Sequence, residues 1–141
     1  MELSALVGGS SEVIGPEATL EQASQTLIKA GIGSLAVVDG RTLAGIITER
    51  DIVRAVAEGM DLGDAAVKEW MTESPDTVGP EVEAEDAATW MLEMGYRHLP
   101  VMENDELLGV VSSGDVTHWL AKSQSFEIES LVMYITGKYP A

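Results

Sequence analysis

The stretch Gly-Ile-Ile-Thr-Glu-Arg-Asp at residues 45–51 returns as Gly-Val-Val-Ser-Ser-Gly-Asp at residues 109–115. Residue 109 stands 64 positions after residue 45, and the same offset relates all of residues 13–57 to residues 77–121 without a gap. A repeat of this length, kept in register through strands, turns and helices, indicates two copies of one supersecondary unit. Two copies related by a pseudo-twofold axis form two related clefts between them, and we expect function to lie there.

Each copy has the pattern of strand, helix, strand, turn, strand and helix. In the first copy, a capping box that begins at Thr19 predicts a helix start, and Gly31 is typical of a helix end. Apolar runs predict strands at residues 35–38 and 43–47, joined by a hairpin turn at residues 39–40. The second copy predicts the same order, and its first helix is expected to pack through Ala84, Ala87, Ala88, Met91 and Leu92.

These patterns divide the chain into a first repeat at residues 10–60, a linker at 61–76, a second repeat at 77–122 and a helical tail at 123–141. Residues 64–71 of the linker predict a short helix. The tail carries an apolar stripe, which must pack either on this chain or on a second copy of it. The stripe consists of Ile128, Leu131, Val132 and Ile135.

The composition limits the kinds of partner. The chain of 141 residues has a formal net charge of −16, which repels duplex nucleic acid and anionic lipid because both require clustered Lys and Arg. It has no run of about 18 apolar residues that would predict a transmembrane helix, and its first seven residues lack the basic region of a signal peptide. Cysteine is absent, which excludes disulfides and thiolate metal sites. We therefore expect a cytoplasmic protein with no membrane contact, for which nucleic acid is a disfavoured partner.

The chemistry is expected where the third strand of each repeat meets its second helix. Thr48 and Ser112 stand at helix N-caps, where free N–H groups and the macrodipole favour a phosphate. Asp51 and Asp115 follow one turn later, and an ionised carboxylate can accept hydrogen bonds from both hydroxyls of a ribose. Arg50 adds a cation beside the first motif. The same spacing is also that of a capping box, so the pattern by itself leaves a purely structural role open.

Several segments resemble the tandem cystathionine-β-synthase (CBS) domain pair, also called a Bateman module. They are residues 45–54, 97–101 and 109–116, and the resemblance extends over about residues 10–137. It implies an α/β (α+β) fold of two β-α-β-β-α repeats with pseudo-twofold symmetry, as in small stand-alone bacterial CBS-domain proteins. It also implies a homodimer whose helices pair into a flat disc, with Trp119 and the tail near the contacts.

The resemblance further implies which residues bind an adenosine nucleotide. Thr48 and Ser112 would contact phosphate, and Asp51 and Asp115 would contact ribose, one pair in each cleft. The adenine slots would be lined by the first strand of each repeat and by the strand that is Leu-Pro-Val in the second repeat and Leu-Ala-Val in the first. The lining residues would be Ile14 and Leu35 in one cleft and Val78, Leu99 and Pro100 in the other. Further candidates for phosphate contacts are Arg50, Arg97 and His98.

From these features we expect a regulatory module that binds AMP, ATP or a related adenosyl ligand and signals to an unidentified partner by a shift in packing. Because Gly114 replaces Arg50 in the second copy, the first cleft should prefer the more highly charged phosphate. The open alternatives are a structural dimerisation module with empty clefts and, less favoured by the charge, a nucleic-acid-binding CBS protein. We expect no enzyme, required cofactor or metal site, because no nucleophile–base pair accompanies the motifs and His98 and His118 lack an obvious third ligand.

Overall fold

The computed structural model describes residues 1–7 and 12–123, and its elements follow the order expected from two repeats. The first repeat contains β1 (Val13–Ile14), α1 (Leu20–Ala30), β2 (Ser34–Asp39), β3 (Thr42–Thr48) and α2 (Glu49–Ala57). The linker contributes α3 (Val67–Trp70) and β4 (Thr72–Glu73). The second repeat contains α4 (Ala84–Met94), β5 (His98–Glu103), β6 (Glu106–Ser112) and α5 (Ser113–Ser123).

The predicted local signals set the ends of helix α1. Thr19 Oγ1 accepts a hydrogen bond from the Gln22 N–H at 3.1 Å, and the Gln22 side chain accepts one from the Thr19 N–H at 3.0 Å. This confirms the predicted capping box. Gly31 ends the helix with a φ of 68°, in the left-handed region that favours glycine. The helix packs on the sheet through a core that contains Leu20, Ala23, Leu27, Leu35, Val37 and Ile47.

The linker adds a fourth strand to the first sheet, which the sequence did not predict. The strand order is β1-β2-β3-β4, and β4 pairs with β3 at Gly45 and Ile46. A Cβ atom at Gly45 would lie 2.5 Å from the Thr72 carbonyl oxygen and 2.7 Å from Met71 Sδ. Only glycine permits so close an approach, so the glycine of the repeated motif accommodates the linker.

The sheet of the second repeat is smaller than that of the first. β5 and β6 form a two-stranded antiparallel sheet, and the expected first strand is reduced to one parallel bridge between Val78 and Val101. The hairpin turn between β5 and β6 contains Asn104 and Asp105, with φ angles of 51° and 65°. Positive φ at both central residues is what a type I′ turn requires, and Asn and Asp tolerate it better than most residues.

Helix α4 packs through four of the five residues predicted for its inner face. Ala84, Ala87 and Met91 are buried and Ala88 is half-buried, but Leu92 is 84% exposed. Leu92 follows Met91 directly, and one residue turns the helix by about 100°, away from the sheet. The core below this helix contains Leu3, Val78, Leu99, Val101, Val111 and Val116.

The N-terminal segment and the linker helix occupy equivalent places on opposite repeats. A short 3-10 helix, Leu3–Ala5, packs on the second repeat, where Leu3 is fully buried and its N–H donates to the Val82 carbonyl at 2.8 Å. Helix α3 packs on the first repeat, where Val67 is fully buried and its N–H donates to the Ala18 carbonyl at 2.8 Å. Leu3 and Val67 are 64 positions apart, so the repeat extends upstream of the predicted boundary.

Two predictions on the flanking segments have different outcomes. The linker helix covers only Val67–Trp70 rather than residues 64–71, because the N–H groups of Asp64 and Ala65 bond back to the Asp61 carbonyl in a turn. The predicted tail stripe at residues 128–135 lies outside the described residues. No helix in the described part of the chain is both long enough and apolar enough to cross a membrane.

Candidate functional site

Two clefts open between the repeats, and each contains one copy of the repeated motif. Cleft one has a volume of about 660 Å³, and its lining includes Thr48, Arg50, Tyr96, Arg97, His98 and Leu99. Cleft two has a volume of about 670 Å³, and its lining includes Glu12, Ser34, Glu49, His98, Ser112 and Asp115. Each cleft thus combines the strand–helix junction of one repeat with the beginning of β2 or β5 from the other.

At the start of α2, Thr48 and Asp51 form a reciprocal cap. Asp51 Oδ2 accepts hydrogen bonds from the Thr48 N–H at 2.8 Å and from the Thr48 hydroxyl at 3.0 Å. Thr48 Oγ1 in turn accepts from the Asp51 N–H at 3.4 Å. The Asp51 side chain is 14% exposed and does not line cleft one. A ribose diol would therefore compete with the helix cap for this carboxylate.

Arg54 and Arg50 lie about one turn apart on α2 but have different surroundings. Arg54 Nη2 donates to the Trp70 carbonyl oxygen at 3.1 Å and to Asp51 Oδ1 at 3.4 Å, and its guanidinium carbon lies 5.4 Å from the centroid of the Trp70 ring. These contacts join α2 to the linker helix α3. Arg50 is exposed, lines cleft one and forms no hydrogen bond or ion pair with a described residue. Arg50 is therefore available to an anion, whereas Arg54 is held by the fold.

Ser112 and Asp115 form the equivalent cap at the start of α5. Asp115 Oδ2 accepts from the Ser112 N–H at 3.0 Å, and Ser112 Oγ accepts from the Asp115 N–H at 3.0 Å. Within residues 1–7 and 12–123, the Ser112 hydroxyl donates no hydrogen bond and Asp115 Oδ1 accepts none. This cap leaves one donor and one acceptor available to a ligand, which the cap of cleft one does not.

His98 stands in the wall between the clefts and lines both of them. Gly33 and Glu49 also line both clefts. A Cβ atom at Gly33 would lie 2.7 Å from Glu49 Oε1 and 3.5 Å from His98 Nε2. Burial lowers the pKa of His98 below its usual 6.5, although the charges of Asp115 and Glu49 act in the opposite direction. The imidazole is therefore mainly neutral at pH 7 and gives the shared wall no fixed positive charge.

Tyr96 is a residue of cleft one that the sequence analysis missed. Its hydroxyl donates to the carboxylate of Asp76, and its ring lies edge-on to Trp90 with the centroids 5.7 Å apart. The hydrogen bond to Asp76 raises the pKa of the Tyr96 hydroxyl. Tyr96 joins the linker to the wall of cleft one. Its position directly before Arg97 is the only signal in the sequence that could have indicated that Tyr96 lines this cleft.

The structure brings some of the predicted site residues together and leaves others in the cores. Cleft one contains Thr48, Arg50, Arg97, His98 and Leu99, and cleft two contains His98, Ser112 and Asp115. The residues predicted for the adenine slots other than Leu99 line neither cleft, namely Ile14, Leu35, Val78 and Pro100. Leu35 and Pro100 are fully buried, because β2 and β5 are covered on both faces.

The two repeats also agree with a family comparison. The sequence model of the CBS domain matches this chain twice, over residues 10–58 and residues 67–122. The chain belongs to the CBS-domain family. The two matches fall on the two halves of the fold, which is that of a tandem CBS pair. In the part of this CBS pair that the structure describes, no group of three or more His, Cys, Asp or Glu is arranged to hold a metal ion.

Two relatives by sequence each match about three quarters of this chain. The chain is 39% identical over 110 residues to an uncharacterized 17.7 kDa protein of Acidianus ambivalens, a match that covers 77% of this chain and 66% of that protein. It is 38% identical over 104 residues to the inosine-5′-monophosphate dehydrogenase of Korarchaeum cryptofilum, covering 73% of this chain and 21% of the enzyme. This CBS pair therefore spans just under two thirds of the first relative and about a fifth of the second.

Solved structures show the same fold. A protein with CBS domains from Burkholderia ambifaria has a TM-score of 0.83 and 30% identity, with 91% of this chain and 99% of that chain covered. A CBS domain protein from Pyrobaculum aerophilum, solved in complex with AMP, has a TM-score of 0.76 and 27% identity, with 87% and 100% covered.

Proposed function

We propose that this CBS pair is a regulatory module that binds an adenosine nucleotide, AMP or ATP, in cleft one. The observation that carries the proposal is the presence in the cleft that holds the Thr48 N-cap of two guanidinium groups, from Arg50 and Arg97, which form no hydrogen bond or ion pair with a described residue. A guanidinium pairs with two phosphate oxygens at once, and a helix N-terminus favours an anion. The AMP complex of the Pyrobaculum aerophilum protein supports an adenosine ligand.

The offset of 64 residues supports a difference in phosphate preference between the clefts. Gly114 stands 64 positions after Arg50, and Gly33 stands 64 positions before Arg97. From the sequence alone, Arg97 could have served either cleft, but it lines cleft one and not cleft two. Cleft one therefore has both arginines, and the residue equivalent to each arginine in the other repeat is a glycine.

Exposed apolar side chains favour a homodimer as the working form of the module. On α2, Val53 is 66% exposed and Val56 is 56% exposed, and on α4 Leu92 is 84% exposed. Exposed apolar groups on the outer faces of helices are typical of an interface. A ligand that changes the packing at the start of α2 would alter this surface, and through Arg54 it would also alter the position of α3. The regulated protein would respond to one of these two changes.

A structural dimerisation module with empty clefts is the second candidate. The observation that favours it is the cap between Thr48 and Asp51, which satisfies both side chains without a ligand. In that case the repeated motif would only begin a helix, and the apolar face would be the functional surface.

Thermal unfolding with millimolar AMP, ATP or NAD separates the two candidates, because a ligand that binds only the folded state raises the melting temperature. We expect AMP or ATP to raise it, and the increase to shrink in Arg50→Ala and in Arg97→Ala. Arg41→Ala is a matched control, since Arg41 lies outside both clefts, and it should keep the full increase. If no nucleotide raises the melting temperature, the dimerisation module replaces the nucleotide sensor.

A further inference from the structure

Each repeat buries a short segment that comes from outside its own helices and strands. Leu3 is fully buried on the second repeat, and Val67, which stands 64 positions later, is fully buried on the first. The apolar residues that follow pack on the same two cores, and they are Leu6, Val7, Trp70 and Met71. Residues 3–7 therefore fill a groove on the second repeat, the second-repeat groove, and residues 67–71 fill its equivalent, the first-repeat groove.

The same pattern of side chains occurs a third time, in the tail. Residues 131–135 read Leu-Val-Met-Tyr-Ile, where residues 67–71 read Val-Lys-Glu-Trp-Met and residues 3–7 read Leu-Ser-Ala-Leu-Val. The first, fourth and fifth positions are apolar or aromatic in all three segments, and these positions pack on the cores in the two described segments. Leu131 stands 64 positions after Val67, so the tail segment keeps the register of the repeat.

The length of the chain lets the tail segment reach the groove of its own second repeat. In the first repeat, α2 ends at Ala57, and residues 58–66 bring the chain back to Val67 in the first-repeat groove. In the second repeat, residues 122–130 are a connection of the same length that leads to Leu131. Helix α5 extends into the start of this connection, so its last residues would leave the helix when the tail segment docks.

The side chain at the fourth position favours the tail segment over the N-terminal one. On the first repeat this position is Trp70, whose ring centroid lies 5.4 Å from the guanidinium carbon of Arg54. On the second repeat Leu6 stands there, and the exposed His118 is the equivalent of Arg54. Tyr134 of the tail would provide a ring at this place, and a tyrosine buries more apolar area than a leucine. We therefore expect the second-repeat groove to accept the tail segment at least as well as the segment it holds.

We propose that residues 131–135 compete with residues 3–7 for the second-repeat groove, so that the docking of one segment releases the other. The structure shows the form in which the N-terminal segment is docked. The first-repeat groove keeps its segment, because residues 67–71 are held in the chain on both sides, between α2 and β4. The exchange does not depend on the proposed nucleotide site, since residues 3–7 line neither cleft one nor cleft two.

Disulfide formation tests the proposal, because the native chain has no cysteine. The Leu3 N–H donates to the Val82 carbonyl at 2.8 Å, which places residues 3 and 82 side by side, within the range that a disulfide spans. The variant with Leu3→Cys and Val82→Cys should form a disulfide within one chain, and so should the variant with Leu131→Cys and Val82→Cys. Ala18→Cys with Leu131→Cys is the matched control and should form none, because Ala18 stands 64 positions before Val82 and accepts the Val67 N–H in the first-repeat groove.

A change that weakens the N-terminal segment should favour the tail. Adding Leu3→Ala to the pair Leu131→Cys and Val82→Cys should raise the rate of disulfide formation at least about threefold, since the loss of a buried leucine side chain weakens the docking of residues 3–7. Urea unfolding gives an independent readout. Leu3→Ala and Leu131→Ala together should lower the midpoint by more than the sum of the single changes, whereas Val67→Ala and Leu131→Ala should be additive.

The proposal is overturned if the disulfide between residues 3 and 82 forms and the one between residues 131 and 82 does not, with or without Leu3→Ala. A disulfide of residue 131 that joins two chains would also overturn it, because the tail would then dock on a second copy. Additive urea midpoints for Leu3→Ala and Leu131→Ala would have the same consequence. Mass spectrometry after digestion identifies each disulfide, and circular dichroism establishes that each variant is folded.

Discussion

Replacing Arg54 with alanine should destabilise the protein, whereas replacing Arg50 with alanine should not, although both arginines lie on α2. Arg54 donates to the Trp70 carbonyl at 3.1 Å and to Asp51 at 3.4 Å, and it stacks on the Trp70 ring at 5.4 Å. Arg50 forms no comparable contact with a described residue. The two variants therefore compare a held arginine with a free one on the same helix.

The expected loss of stability follows from the three contacts of Arg54. A hydrogen bond from a charged donor contributes about 1.5–3 kcal/mol, an exposed ion pair roughly 0.2–1 kcal/mol, and an exposed cation–π contact about 0.5–1 kcal/mol. The Arg54 side chain is 56% exposed, so solvent screening reduces each contribution. We expect Arg54→Ala to lower the free energy of unfolding by about 1–2 kcal/mol. Arg50→Ala should change it by less than about 0.5 kcal/mol.

Urea unfolding followed by circular dichroism measures both changes as shifts in the midpoint at constant slope. Calorimetry with AMP should give the opposite order, because Arg50 lines cleft one and Arg54 does not. Arg50→Ala should weaken AMP binding more than Arg54→Ala does. Equal destabilisation by the two variants, or a greater loss of AMP affinity in Arg54→Ala, would refute the roles assigned to the two arginines.

Three further changes test other parts of the structure. Gly45→Ala should destabilise the protein by roughly 1–3 kcal/mol, because its Cβ would meet the Thr72 carbonyl oxygen. Gly114→Ala, in an open helical position, should not destabilise it. Similar urea midpoints for the two variants would exclude the close packing of Thr72 on Gly45. Burial holds the pKa of His98 below 6.5. The contribution of His98 to the free energy of unfolding is therefore complete above about pH 6.5. It is lost as the pH falls below about 6.5, because the unfolded chain binds the proton before the folded chain does. The urea midpoint should therefore fall less between pH 7.5 and 5.5 in His98→Gln than in the native protein, and equal falls would contradict the burial of the imidazole. Val53→Glu should convert the proposed homodimer to a monomer in light scattering, and a dimer that survives the change would show that this face of α2 is not the interface.

The parts of the fold predicted correctly are those whose ends depend on neighbouring residues. The capping box at Thr19 and the left-handed glycine at residue 31 fix the helix ends locally, and the structure places them there. Strand β4 and the 3-10 helix were missed because they are too short to show a period. They exist through distant contacts, such as the burial of Leu3 beside Val82 and the approach of Thr72 to Gly45.

The repeat offset shows which residues are equivalent but not which cleft each side chain enters. Arg50 was predicted to contact phosphate, and Arg54 follows it one turn later on α2; the contacts with Trp70 show that Arg54 is instead held by the fold. Leu35 and Pro100 were expected to line the adenine slots, but both faces of their strands are covered. A local pattern can identify a strand, but it does not show which of the strand's residues line a cleft.

The number of AMP molecules bound by each chain tests the central claim most directly, and calorimetry on the native protein measures it. We predict one AMP per chain, bound in cleft one, with an affinity that falls at least about tenfold in Arg97→Ala, as the loss of a charge-assisted hydrogen bond implies. Two equivalent AMP sites per chain, or a single site that Arg97→Ala leaves unchanged, would contradict it.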